Sequence, residues 1–406
     1  MLQATNASGQ DIDGPYAWRR LAISLFLSTV GGVGSWAIVV VLPAIQTEFG
    51  VDRAAASLPY TATMVGFAVG NLIVGRIMDR VGFWIPVLAS ALLLAAGFAL
   101  SALAPSIGWL NLAQGGLIGL GSGATFGPVI ADISHWFRKR RGVAVACAAS
   151  GSYFAGIVWP MIIPHLMGAF GWRGTYLAIA AICLVAMVPS ALMLRRPSPI
   201  SAQEPPSAVG NGRAAIPPGV LQAMLMVAGV SCCVAMSMPQ VHIVAYCIDL
   251  GYGVARGADM LALMMTAGVF SRLASGFLVD RIGGVRTLLL GSVAQGLSLF
   301  LYIPFDGLAS LYVVSLVFGL SQGGIVPCYA TIIREYLPAS EAGSRVGSVI
   351  MATILGMAIG GWMSGWIYDM TGSYTAAFMN GIAWNLLNIA IMLLLLQRSR
   401  RRLLPA

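Results

Sequence analysis

Twelve apolar runs of membrane-crossing length, parted by short charged or turn-forming stretches, leave this chain few ways to fold. A helix needs about 20 consecutive apolar residues to cross the hydrocarbon core of a bilayer. Inside that core every backbone N–H and C=O must find its partner within the protein, which favours helices throughout. The runs fall at about 21–45, 56–75, 83–104, 109–131, 142–167, 174–194, 220–248, 257–279, 287–305, 309–332, 345–368 and 375–396. Only 9% of the 406 residues are charged, against about 25% in soluble domains. An all-α membrane protein is expected. A net charge of +9 in a soluble chain would suggest nucleic acid, but here the charges follow membrane topology, and no nucleic-acid partner is expected.

An even number of spans puts both termini on one side, and the positive-inside rule decides which. With the N-terminus in the cytoplasm, the 23 Lys and Arg sort as 19 inside, 3 outside and 1 within a span. Arg19, Arg20, Arg76, Arg80, Arg213 and the run from Arg138 to Arg141 are inside; Arg53, Arg173 and Arg256 are outside. The expected place is the cell membrane, with both termini cytoplasmic. Residues 1–17 are polar, carry Asp11 and Asp13 and lack the apolar core of a cleavable signal. The stretch Arg195–Gly219, rich in Pro, Ser, Gly and Ala, reads as a flexible cytoplasmic linker. It separates a six-span half at 1–194 from another at 220–406.

The one cation within a span is Arg272, in the apolar run Gly257–Val279. A charge near the bilayer centre costs roughly 3 kcal/mol on insertion scales, so such residues commonly bind an anion or carry a proton. The guanidinium offers a bidentate fork that matches a carboxylate. Gly268, Ser275 and Gly276, one turn away, leave room for a ligand or for close helix packing. The bland alternatives are snorkelling toward the interface and a structural ion pair. Asp280 is eight residues off, about 12 Å along a helix, and Asp259 thirteen, about 20 Å.

The two halves echo one another. Gly75-Arg76-Ile77-Met78-Asp79-Arg80-Val81-Gly82 follows the second span, and Gly276-Phe277-Leu278-Val279-Asp280-Arg281-Ile282-Gly283 follows the eighth, 201 residues later. Gly171 and Gly372 precede the sixth and twelfth spans at the same offset, and Gly119 and Gly319 open matching stretches 200 apart. Parallel six-span repeats are the plan of a secondary transporter, with the substrate site near the midplane. In these loops Asp79 or Asp280 can cap helix ends, while the glycines allow tight turning and close packing. The set Gly75, Asp79, Arg80, Gly82 with Gly276, Asp280, Arg281, Gly283 resembles the loop signature of the major facilitator superfamily, where it serves as a gating element.

His135-Trp136-Phe137-Arg138-Lys139-Arg140-Arg141-Gly142, Gly171-Trp172-Arg173 and Gly365–Tyr374 extend the match, as do Glu48–Val51 and Val241-His242-Ile243. Together they resemble the monocarboxylate transporter and oxalate/formate antiporter group over nearly the whole chain. The resemblance implies that Arg272 binds the substrate carboxylate. It also shows departures. Gly268 stands where eukaryotic monocarboxylate transporters have an aspartate, Pro43-Ala44 where they have a lysine, and Thr353 near the antiporter's second buried lysine. One buried cation suits one carboxylate better than two.

Tyr153, His242 and Gln322 are further candidates, as hydrogen-bond donors to substrate or, for His242, as a proton carrier; each could equally serve helix packing. Gly119, Gly123 and Gly127 on the fourth span and Gly66 and Gly70 on the second form close-packing stripes. The six cysteines lie inside apolar runs without CxxC spacing and read as packing residues. No metal or cofactor is expected, and no nucleophile–base set marks an enzyme.

The expectation is a monomeric secondary transporter of a small monocarboxylate of the lactate or pyruvate kind, working by alternating access. Proton symport and anion exchange both stay open. Alternatives are a dicarboxylate exchanger, a drug-efflux antiporter and a carboxylate-sensing receptor. The fifth span, Gly156–Ile163, lacks the G-P-x-x-G-G run that the efflux group carries.

Overall fold

In the computed structural model, residues 12–196, 217–336 and 339–400 are described. Most of the linker, with Arg213, and the last residues from Arg401 lie outside the described residues, as do the side chains of Asp79 and Arg141. Eleven helices in the described residues are long and apolar enough to cross a membrane. They are Pro15–Phe49, Arg53–Met78, Trp84–Ala102, Ile107–Ser134, Val143–Met193, Pro218–Asp249, Gly253–Ile282, Gly284–Leu301, Leu308–Ile333, Arg345–Thr371 and Tyr374–Arg398. At 51 residues, Val143–Met193 is about 75 Å long, more than twice a bilayer core of about 30 Å. It is interrupted at Gly171, with φ 66° and ψ 176°, and so supplies the fifth and sixth of twelve spans.

The repeat is written in the backbone. Left-handed glycines recur at three pairs of positions, Gly50 and Gly251, Gly82 and Gly283, Gly171 and Gly372, each pair 201 residues apart. The first pair ends its helices by the same bond, Val51 N–H to Gln46 O (3.3 Å) and Tyr252 N–H to Cys247 O (2.8 Å). The second pair does likewise, Gly82 N–H to Met78 O (3.0 Å) and Gly283 N–H to Val279 O (2.9 Å). A residue with a Cβ is disfavoured in this conformation, so glycine fixes where each helix stops.

The residues of the loop signature divide in role. Gly82 and Gly283 do the turning, whereas a Cβ added at Gly75 or Gly276 would meet nothing within 4 Å, so close packing does not need them. Arg80, Asp280 and Arg281 are exposed. The ninth span is capped by Glu335 rather than by Asp280: its carboxylate accepts from Gly284 N–H at 3.0 Å.

The fourth and tenth spans are broken alike. The fourth has a π-helical turn at Gln114–Gly119 and breaks at Phe126 before resuming at Gly127–Ser134. The tenth runs Leu308–Gln322 and resumes at Ile325. Both lie backbone to backbone against a neighbour. A Cβ on Gly66 would overlap the Gly115 carbonyl, and one on Gly123 would overlap Gly70. In the other half a Cβ on Gly323 would overlap the Gly268 carbonyl. Lipid offers no hydrophobic drive between helices, so close approach of small residues carries the packing.

By their contacts the residues form two compact units, Met1–Ala37 with Gly66–Pro205, and Ile38–Val65 with Pro206–Ala406. The segment Ile38–Val65, taken from the first two spans, thus groups with the later spans.

Glycines that touch backbone should be irreplaceable and those in open space should not. Gly323→Ala is expected to lower the thermal stability of the purified protein by about 1–3 kcal/mol through overpacking, whereas Gly276→Ala leaves it unchanged; melting curves in detergent check the contrast.

Candidate functional site

Arg272 is half-buried on the eighth span, Gly253–Ile282. Its Nε donates to the Gly323 carbonyl at 3.3 Å. That carbonyl is available because the tenth helix stops at Gln322, leaving its last C=O groups without intrahelical partners. The bond gives the guanidinium an acceptor but no negative charge. Gly268, one turn before Arg272, is spent on the contact with Gly323, and Ser275 faces Gly324, where a Cβ would overlap it. Of the small neighbours, only Gly276 leaves open space. The residue 201 positions earlier is Asn71, which also bonds its half's broken helix, accepting from Gly127 N–H at 3.1 Å. The repeat thus carries a neutral amide at one equivalent point and a cation at the other.

Gln322 is fully enclosed beside Gly323. Its Oε1 accepts from Gln240 Nε2 of the seventh span. Its own Nε2 is buried with no hydrogen-bond partner among the described residues. An unmet buried donor costs about 1–3 kcal/mol. Gln240, two residues before His242 on the same helix, carries no signal in the sequence that would single it out. An apolar crevice lined by Phe270, Ala274, Leu278, Leu290 and Leu320 runs along the eighth, ninth and tenth spans, and Arg272 is not among its lining residues.

His242 is also enclosed, and both ring nitrogens are engaged. Nε2 lies 2.8 Å from the Gly361 carbonyl, which can only accept, so Nε2 carries the proton. Nδ1 then accepts from the Tyr374 hydroxyl at 3.2 Å. The Tyr374 oxygen in turn accepts from Arg53 Nη1 at 2.8 Å. Tyr153, half-buried on the fifth span, belongs to the first unit, so the sequence-predicted set is divided over both.

Arg53 is the centre of a cluster that sequence reasoning missed. Its Nη1 and Nη2 bond Asp249 at 2.6 and 3.2 Å, and Tyr368 stacks beneath it, 4.2 Å from guanidinium to ring centre. Asp369 accepts from the backbone N–H of Arg53 (2.9 Å) and Ala54 (2.6 Å), capping the second span from the eleventh. The signal lay in Gly365–Tyr374, matched as a motif without a role.

A second cluster lies in the first unit. Arg20 and Asp132 form a bidentate pair at 2.7 and 2.8 Å, with 1% and 5% of their side chains exposed. Arg20 also donates to the Leu194 carbonyl at 3.2 Å and faces the Trp136 ring. Asp132 and Asp249 lie in helices of membrane-crossing length, Ile107–Ser134 and Pro218–Asp249, which run past the apolar runs expected to end at about 131 and 248. Before the first helix, Asp13 accepts from Lys139 N–H (3.0 Å) and Arg138 N–H (3.2 Å). The Lys139 bond is the chief cause holding its carboxyl below the usual carboxylate range.

A chain of twelve spans with paired left-handed turns and two broken central helices per molecule defines a membrane transporter fold. The protein belongs to the Major Facilitator Superfamily, whose model matches residues 24–344 and 249–405. It is similar to monocarboxylate transporter 13 of Rattus norvegicus, 28% identical over 94% of this chain and 90% of the relative. It is also similar to the MFS-type transporter pynF of Aspergillus niger, 27% identical over 69% of this chain and 64% of the relative. A bacterial homologue of the human lysosomal transporter Spinster shares the fold, with a TM-score of 0.73 and 14% identity over 95% of this chain and 96% of that one. The nucleoside transporter NupG does too, at 0.74 and 14% over 93% and 99%.

The glutamine pair gives a test of the site's geometry. Gln322→Met alone strands Gln240 and should cost about 1–3 kcal/mol of stability. The double change with Gln240→Met should cost less than the single one, read as a positive coupling in a thermal double-mutant cycle.

Proposed function

We propose that this transporter carries small monocarboxylates, with Arg272 holding the substrate carboxylate. The observation that supports the reading is a half-buried guanidinium mid-span, held by its Nε to a neutral carbonyl in a broken helix. A guanidinium presents a planar fork that matches the two oxygens of a carboxylate. The similarity to monocarboxylate transporter 13 points the same way. Gln322, with its unmet Nε2 beside Gly323, is the auxiliary donor in this reading. His242 has both nitrogens occupied and acts within it as a packing residue.

The transport step is proton symport by alternating access, between six-span halves at 1–194 and 220–406 joined by the linker 195–219. Both termini are cytoplasmic in the cell membrane, so Arg20 is at the inner end and Arg53 at the outer. A second reading, efflux, draws on relatives such as the agnestins efflux protein of Paecilomyces divaricatus, 24% identical over 71% of this chain and 68% of the relative.

In reconstituted vesicles, Arg272→Ala should abolish monocarboxylate uptake while expression and melting temperature stay near normal; near-normal uptake would remove Arg272 from the site. A lactate or pyruvate pulse to weakly buffered cells should alkalinise the medium, and uptake with no pH change would replace symport with exchange. Oxalate should compete poorly against lactate, pyruvate and acetate, since one cation answers one carboxylate.

A further inference from the structure

We propose that Arg53 is the latch of the outer gate, a positioning residue that releases Asp249, Asp369 and Tyr374 in each transport cycle. The segment Ile38–Val65 comes from the first two spans, yet it is packed with the seventh, eleventh and twelfth. Arg53 reaches Asp249 on the seventh span and Tyr374 at the head of the twelfth, while Asp369 of the eleventh caps its helix. Four spans meet at Arg53.

Two buried ion pairs among the described residues differ in a way that marks one as movable. Arg20–Asp132 is sealed, with 1% and 5% of the side chains exposed, and breaking it would strand charges in a dry interior. In the Arg53–Asp249 pair the acid is 27% exposed at the end of its helix, so water can take over both charges as they part. The charge attraction holds the gate shut without a large desolvation cost on opening.

The packing around the latch suits a surface that parts cleanly. Gly361 and Gly365 on the eleventh span lie against Tyr60 and against Arg53 and Ser57, where a Cβ would come within 2.8 to 2.9 Å. Thr61 adds one bond to the Ala358 carbonyl at 3.0 Å. A glycine face offers no knobs to disengage. On the other side of the latch, His242 ties Gly361 to Tyr374, so the eleventh and twelfth spans stay joined to the seventh when Arg53 leaves. The hydrogen bonds all run one way, Arg53 to Tyr374 to His242 to Gly361. Losing Arg53 removes one donor from Tyr374 and leaves the other two bonds intact.

The test reads access rather than uptake, so it stands apart from the monocarboxylate reading. A cysteine replaces Ala358, which is 2% exposed in the closed arrangement, in a Cys147→Ser background, and intact cells receive a membrane-impermeant maleimide. Asp249→Asn should raise the labelling rate roughly tenfold, the effect of removing about 1.4 kcal/mol from the closed state. Arg53→Ala should do the same, and Asp249→Glu should restore protection. Monodisperse elution and an unchanged melting temperature show that Asp249→Asn is folded, and that variant carries the test if Arg53→Ala is not. Equal labelling in the parent and in folded Asp249→Asn overturns the latch. Labelling that occurs only from the cytoplasmic side overturns its outer placement.

Discussion

Where the eighth and tenth spans touch, no side chain separates the two backbones. Gly268 and Gly323 meet at a distance that any Cβ would forbid. That contact sets much of the site. It brings the break in the tenth helix one turn from Arg272, and the break supplies the carbonyl that the guanidinium engages. It also places Gln322 where the seventh span can reach it through Gln240. The same arrangement between the second and fourth spans, through Gly66, Gly70 and Gly123, shows that the contact belongs to the scaffold. The chemistry was added to it.

Three arginines in nearly apolar surroundings have three different settings. Arg20 has a carboxylate, carbonyls and an aromatic ring around it, and it fastens the start of the first span. Arg53 has a carboxylate at the edge of solvent and gathers spans distant in sequence. Arg272 has its Nε on a neutral acceptor in a broken helix. Burial and the groups around each guanidinium, rather than residue type, set the three apart.

Much of the fold was legible because lipid imposes it. Apolar runs gave the spans, and repeated glycines gave the offset of 201 that the backbone reproduces. The helix ends were harder to place, since Asp132 and Asp249 stand just past the apolar runs and are held by partners in other spans. Arg272 stood out as a lone charge in an apolar run. Arg53 and Gln240 did not, because their meaning lies in residues 196 and 82 positions away. Gly75 and Gly276 went the other way: their motif suggested close packing, yet they border open space. Periodicity shows which residues lie in a span, but not which neighbour each face meets.

The paired left-handed glycines imply a division of freedoms within the chain. Three stops, set twice, hold the lengths and exits of the helices. A residue with a Cβ at one of these stops would strain the turn that ends its helix. The two halves can therefore share a skeleton and hold different trades. At one shared point stand Asn71 and Arg272, each tied to its half's broken helix, one through a neutral amide and the other through a guanidinium.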